Sequence, residues 1–244
     1  MANRADILAE LRLAPTWRLR EDGAPAAGAR PATTGDVAAH AAPPIVDDVD
    51  ARSMRIRGLD WPALADDIEA CTACGLCRTR TRAVPGVGDA RPEWLFVGEA
   101  PGAEEDARGE PFVGQAGRLL DNMLAAIGLA RGSGVYIANV LKCRPPNNRT
   151  PAPLEVAACR PYLDRQIELL QPRLIVALGR SAANTLLGND ASIASLRGRA
   201  HRLDGRPLVV TYHPAYLLRS LPDKARAWED LLFARRLLRE AAPG

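Results

Sequence analysis

Two groups of side chains in this sequence have the types and spacing for chemistry. The first is scattered along the chain. Glu99, Glu104, Glu105, Asp106 and Phe112 follow the short apolar run Leu95-Phe96-Val97. Asn139 and the Pro-Asn segment Pro145-Pro146-Asn147-Asn148-Arg149 follow a second such run. His213 follows a fourth, Leu208 to Tyr212. Carboxylates, an amide and an imidazole of this kind can bind a polar ligand, hold a water or stabilise developing charge. The second group is cysteine: Cys71-x2-Cys74, then Cys143 and Cys159, with Cys77 three residues beyond Cys74. A CxxC pair with two distant partners reads as a four-thiolate site, which suits an iron–sulfur cluster or Zn²⁺; the spacing alone does not separate them.

The elements that must position these groups can be read from periodicity. Leu95–Val97 stops at Gly98-Glu99-Ala100-Pro101-Gly102, so it is a buried strand and not a helix. Ala116, Leu119, Leu120, Met123, Leu124 and Ile127 then fall on one helical face. Val135–Leu141 and Leu174–Leu178 are two further strands, with Leu208–Tyr212 the fourth. Helices are expected from Asp60 to Ala70, from about Pro153 to Leu170, through Leu187, and from about Asp223 to Glu240. Alternating strands and helices predict a parallel sheet covered on both faces, with every strand's carboxyl end on one rim. Glu99, Asn139 and His213 all sit at such ends, which marks that rim as an active site.

Composition narrows the class. The chain has 244 residues, 47% hydrophobic and 25% charged, which suffices for a sizeable core. The net charge of +3 is too mild to identify a nucleic-acid binder by itself. No apolar run approaches the ~18–20 residues of a membrane span. The first twenty residues lack the apolar core of a secretory signal, and an odd cysteine count argues against a disulfide framework, so a reducing cytoplasm is expected. Residues 3–13 can form a short amphipathic helix, and residues 22–52, rich in Ala, Pro, Gly and Asp, read as a flexible linker. The division expected is a disordered extension over 1–58 and a catalytic domain over 59–242.

Taken together and in order, CTAC at 71–74, VGEAPGAEED at 97–106, PFVGQAGRLLD at 111–121, ANVLKCRPPNNR at 138–149, the Cys159 region and HPAYLLR at 213–219 resemble the family 4, iron–sulfur uracil-DNA glycosylases. The resemblance implies a three-layer α/β/α sandwich around a four-stranded parallel sheet. It also implies a 4Fe–4S cluster on Cys71, Cys74, Cys143 and Cys159, with Cys77 outside the ligand set. The implied activity is hydrolysis of the bond between uracil and deoxyribose in single- and double-stranded DNA, leaving an abasic site. Uracil-containing DNA is then the partner, and the protein a cytoplasmic monomer; the N-terminal extension is given no partner.

The implied chemistry assigns roles. The target base must leave the duplex to be read. Phe112 offers a stacking face, and the amide of Asn139 matches uracil's N3–H and O4, a pattern that cytosine reverses. Gly98 belongs to the same uracil-contacting set. The resemblance points to Glu105 as a wall against the C5 methyl of thymine. His213 is suited to donate to O2 of the departing base, and neutral imidazole suffices. Glu99 and Asn148 are candidates for positioning water. At the rim, Leu217 or Leu218 can wedge into the base stack, with Arg219 on phosphate. Arg144, Arg149, Arg197 and Arg199 are further phosphate candidates. His201 is an ordinary loop residue on this reading. Two other classes fit part of the pattern: a binding protein that traps uracil-DNA without turnover, and a zinc hydrolase using the same rim.

Overall fold

The computed structural model describes residues 46–240. The predicted helix at 3–13 and the linker up to residue 45 lie outside them. β2 (Trp94–Gly98), β3 (Val135–Asn139) and β4 (Leu174–Leu178) are buried at every position, as strands covered on both faces must be. With β6 (Arg206–Thr211) they form a parallel core in the order β3-β2-β4-β6.

The sheet has six strands, not four. β1 (Val87–Gly88) pairs antiparallel with β3 at one edge, and β5 (Ala200–Leu203) pairs antiparallel with β6 at the other. β1 is too short to carry a periodic signal. β5 is a hairpin partner of β6, turned by Asp204 (φ 48°) and Gly205 (φ 80°), the double left-handed turn for which Asp-Gly is suited. Its residues alternate between exposed and half-buried. His201 therefore lies on an edge strand, not in a loop.

Alternate side chains of the strands feed two cores. One face sends Leu95, Val97, Ile175, Ala177, Leu208 and Val210 against Leu163 and Ile167 of α5 (Pro153–Leu170) and Ala183 and Leu186 of α6 (Arg180–Leu187). The other sends Phe96, Ile137, Val176 and Val209 against Leu120 and Leu124 of α4 (Gln115–Ala126) and Leu231 and Ala234 of α9 (Asp223–Glu240). The three layers are thus as predicted. Among the described residues no helix is long and apolar enough to cross a membrane.

The amino-terminal boundary moves. Val46–Arg57 is a helix, α1, where the sequence reading placed the end of a linker. Ile56 is fully buried with Leu64 and Ile68 of α2 (Trp61–Ala70) and Tyr162 of α5. Arg55 grips Asp67 through two bonds of 2.5 and 3.0 Å, and Arg52 Nη1 donates to Ala158 O at 2.7 Å. Arg52 and Arg55 thus anchor this helix through contacts distant in sequence, which no local pattern announces. Ile56→Ala is expected to lower unfolding free energy by about 2–5 kcal/mol in urea titrations. A loss below about 0.5 kcal/mol would detach α1 from the folded unit.

Candidate active site

The carboxyl ends of β2, β3 and β6 open into one pocket of about 460 Å³. Glu99, Phe112, Asn139, Asn148, His213 and Arg219 line it, so residues far apart in sequence meet as the strand-end argument requires. Gly98 makes the meeting possible. A Cβ there would lie 2.4 Å from Asn139 Oδ1 and 2.6 Å from Phe112 Cζ. Any side chain at 98 would occupy the space that the amide and the ring now share.

Asn139 is 2% exposed, and its Oδ1 has no hydrogen-bond partner. A buried acceptor left unpaired is disfavoured, and because Asn139 lines the pocket its Oδ1 is free to accept from a ligand's donor. Phe112 takes φ 55°, which is unusual for an aromatic residue. Arg131 holds it there: Nη1 donates to Pro111 O and Nη2 to Phe112 O, both at 2.8 Å, while Asp121 pairs with the guanidinium at 2.9 Å. Gly117 completes the seat, since a Cβ there would overlap the Phe112 carbonyl. The sequence reading missed Arg131 and Gly117; the left-handed backbone that requires them has no sequence signature at a Phe.

His213 caps the short helix α8 (Pro214–Leu217), with Nδ1 accepting from Ala215 N–H at 3.1 Å. That bond fixes the tautomer: in the neutral ring the proton is on Nε2. The ring lies 5.5 Å from that of Phe112, centroid to centroid. Burial, aided by the nearby Arg219 and opposed by Glu105, pulls its pKa down to about 4, so the ring is neutral at physiological pH. Burial raises the pKa of Glu99, and a hydrogen bond from Ser181 offsets part of the rise.

Several residues have structural partners. The Glu105 carboxylate borders the pocket and accepts from three backbone N–H groups, Gly102, Val113 and Gly114, at 3.0–3.1 Å. It ties the loop after β2 to the Phe112 turn, α3 (Ala103–Arg108) lying between them. Asp106 is buried and accepts from Thr81 N–H. Asn148 is exposed in a left-handed conformation, and its Oδ1 accepts from Arg144 Nε at 2.7 Å. Arg149 pairs with Glu155 at the start of α5. Arg197 pairs with buried Asp230 and lies over the Tyr212 ring, so it braces the core and is not a free phosphate contact. Arg199 and Arg219 are exposed.

The wedge assignment is corrected in part. Leu217 is 1% exposed and packs with Tyr212 and Ala227, so it cannot enter a base stack. Only one of two successive residues can face the core here, and Leu218 is the one that turns outward, 40% exposed. His201 does not line the pocket; its Nε2 lies 2.8 Å from Leu196 O, beside the helical turn α7 (Ile193–Leu196).

The cysteines form a separate place. Cys71, Cys74, Cys143 and Cys159 border one small cavity, and Cys77 borders it too. All five are unbridged. Among the described residues no three His, Cys, Asp or Glu side chains converge as for a single metal ion. Three sulfurs instead receive donors from outside: Arg52 Nη2 to Cys71 Sγ at 3.6 Å, Arg80 Nη1 to Cys143 Sγ at 2.9 Å, and Lys142 N–H to Cys159 Sγ at 3.2 Å. Cations and N–H groups around sulfur are the surroundings that thiolates need.

Two measurements test this geometry. His213 is one of three histidines, and its NMR resonances should stay those of a neutral ring from pH 8 down to about 5.5, against an ordinary value of about 6.5. Because its folded pKa is depressed, the stability it contributes is present above about pH 6.5 and is lost as pH falls toward 4. Titration in the ordinary range would contradict the burial. Gly98→Ala should cost about 1–3 kcal/mol by overpacking, read as a lower urea midpoint.

The family model for the uracil DNA glycosylase superfamily matches residues 85–232. The type-4 uracil-DNA glycosylase of Archaeoglobus fulgidus is 49% identical over 160 residues, 62% of this chain and 80% of the relative. That of Thermotoga maritima is 44% identical over 181 residues, 72% of this chain and 94% of the relative. The type-5 enzyme of Thermus thermophilus is 38% identical over 151 residues, 54% of this chain and 68% of the relative. Strand-end pocket, cysteine set and these likenesses lead to one assignment: the chain belongs to the uracil-DNA glycosylase superfamily, among the type-4 enzymes.

Proposed function

We propose that this protein is a DNA-repair glycosylase that hydrolyses the N-glycosidic bond of uracil in single- and double-stranded DNA, releasing uracil and leaving an abasic site. The observation that carries the reading is the unpartnered Oδ1 of Asn139, buried between Phe112 and a neutral His213 in one pocket. The extruded base stacks on Phe112. Asn139 Oδ1 accepts from uracil N3–H, and its amide NH₂ donates to O4. Cytosine presents an acceptor at N3 and a donor at C4, so both groups would be left unpaired, a discrimination of roughly 10⁴-fold. The Glu105 carboxylate, fixed by three N–H groups, supports its role as a wall at C5.

In the reaction the C1′–N1 bond breaks with its electron pair going to the base. His213 Nε2–H donates to O2, where that charge collects, and remains neutral while doing so. Glu99 steadies the cationic sugar and positions the water whose oxygen joins C1′; the water's proton passes to solvent, and the base anion is protonated after release. Asn148 and Arg144 border the approach, Leu218 occupies the gap left in the stack, and Arg219 meets phosphate.

Cys71, Cys74, Cys143 and Cys159 would hold a 4Fe–4S cluster, with Cys77 beside it; their shared cavity and its three N–H donors support this. When bound, the cluster would cross-link the Cys71 segment to the loop after β3 and so fix the Pro145–Arg149 loop at the rim. The protein acts, on this reading, as a cytoplasmic monomer. Covalent trapping through His201 finds no support, since that ring is away from the pocket.

Cluster-loaded protein should release free uracil from a uracil-containing oligonucleotide; no release sinks the proposal. His213→Ala should lower kcat by about 10²–10³-fold. Asn139→Leu should abolish most uracil release while abasic DNA still binds; wild-type rates in either variant would remove its role.

A further inference from the structure

Lys142 is 1% exposed, and the chemistry above does not use it. Its ammonium donates to the Asn139 carbonyl at 2.7 Å and to Gln166 Oε1 at 2.6 Å. Gln166 is equally buried and spends its own NH₂ on Pro85 O at 2.8 Å. Both acceptors of the ammonium are neutral. None of the ion pairs among the described residues includes Lys142. A buried ammonium without a countercharge is strongly disfavoured, so the balancing charge must come from elsewhere.

The cysteine cavity can supply it. Lys142 lines that cavity, its backbone N–H donates to Cys159 Sγ, and Cys143 is its chain neighbour. Four thiolates around iron carry a net negative charge. On its other side Lys142 closes a ring back onto Asn139. The backbone beyond Asn139 is already tied to β2, with Val140 N–H on Gly98 O at 2.9 Å and Leu141 N–H on Glu99 O at 3.0 Å. The Lys142 bond fixes the remaining backbone acceptor of the residue whose amide faces the pocket.

We infer that Lys142 is a positioning residue shared by the two sites: its ammonium balances the charge of the thiolate cage and holds the Asn139 carbonyl, and thereby sets the amide that reads the base. The inference rests on the function proposed above and adds to it a physical link between the cysteines and base recognition.

The test uses the full, cluster-loaded chain. Lys142→Met keeps the length and removes the charge. Inhibition by free uracil should weaken about tenfold, while affinity for abasic DNA stays within about twofold of wild type. A merely structural role would move both together. Gln166→Glu places a carboxylate on the ammonium and keeps the Asn139 bond. Visible cluster absorbance should then decay several-fold faster in air, with uracil inhibition unchanged. Wild-type uracil inhibition in Lys142→Met, or wild-type decay in Gln166→Glu, overturns the inference. Should Lys142→Met fail to fold, the decay in Gln166→Glu decides. Inactivity of the wild type on uracil-DNA would instead sink the proposed function and leave the decay comparison intact.

Discussion

Asn139 and Phe112 converge on the place where residue 98 has no side chain. That contact is the constraint on which the rest of the site depends. It joins the ends of two adjacent parallel strands to a turn beyond the next loop, and each partner needs its own support. The amide sits at the end of β3, in register with Gly98 on β2. The ring is carried by a left-handed residue that Arg131 and Gly117 stabilise. Glu105 binds the two loops together through three N–H groups. His213 then arrives from the far side of β4 with its tautomer already set by α8. Steric room, backbone strain and electrostatics therefore serve one small volume.

Much of this could be read from the sequence, for identifiable reasons. Strands buried on both faces write themselves as short apolar runs, and so the central four were legible. The polar residues that end those runs were legible as site candidates, because a parallel sheet gathers carboxyl ends on one rim. Long helices with clear boundaries, such as α5 and α9, were legible as well. The edges were not: β1 is two residues long, and β5 alternates around an arginine beside a two-residue Asp-Gly turn. Register also lay beyond sequence reading. Leu217 and Leu218 have the same chemistry, and only the fold decides which faces the core.

The amino-terminal helix shows a third kind of illegibility. Among the described side chains of α1, Ile56 is the buried apolar one, and Arg52 and Arg55 add anchoring bonds. Yet Arg52 reaches Cys71 and also stacks on Tyr162, so α1 contacts two residues of the cysteine cavity although it precedes the region that the family model matches. A segment that looks like linker composition thus contributes to the most chemically specialised corner of the fold. Its contacts are long-range in sequence, and nothing local announces them.

The seat of Phe112 has a consequence for timing. Stacking surfaces in many binding sites are floppy until a ligand orders them, and the ordering entropy then weakens the complex. Here the aromatic plane is locked during folding by Arg131, Gly117 and the clasp of Glu105. On the function proposed above, a base entering the pocket would meet a shelf that is already level. What would then remain to be overcome on encounter is the unstacking of the nucleotide from its own helix, and the rate at which the pocket fills would become a property of the DNA more than of the protein.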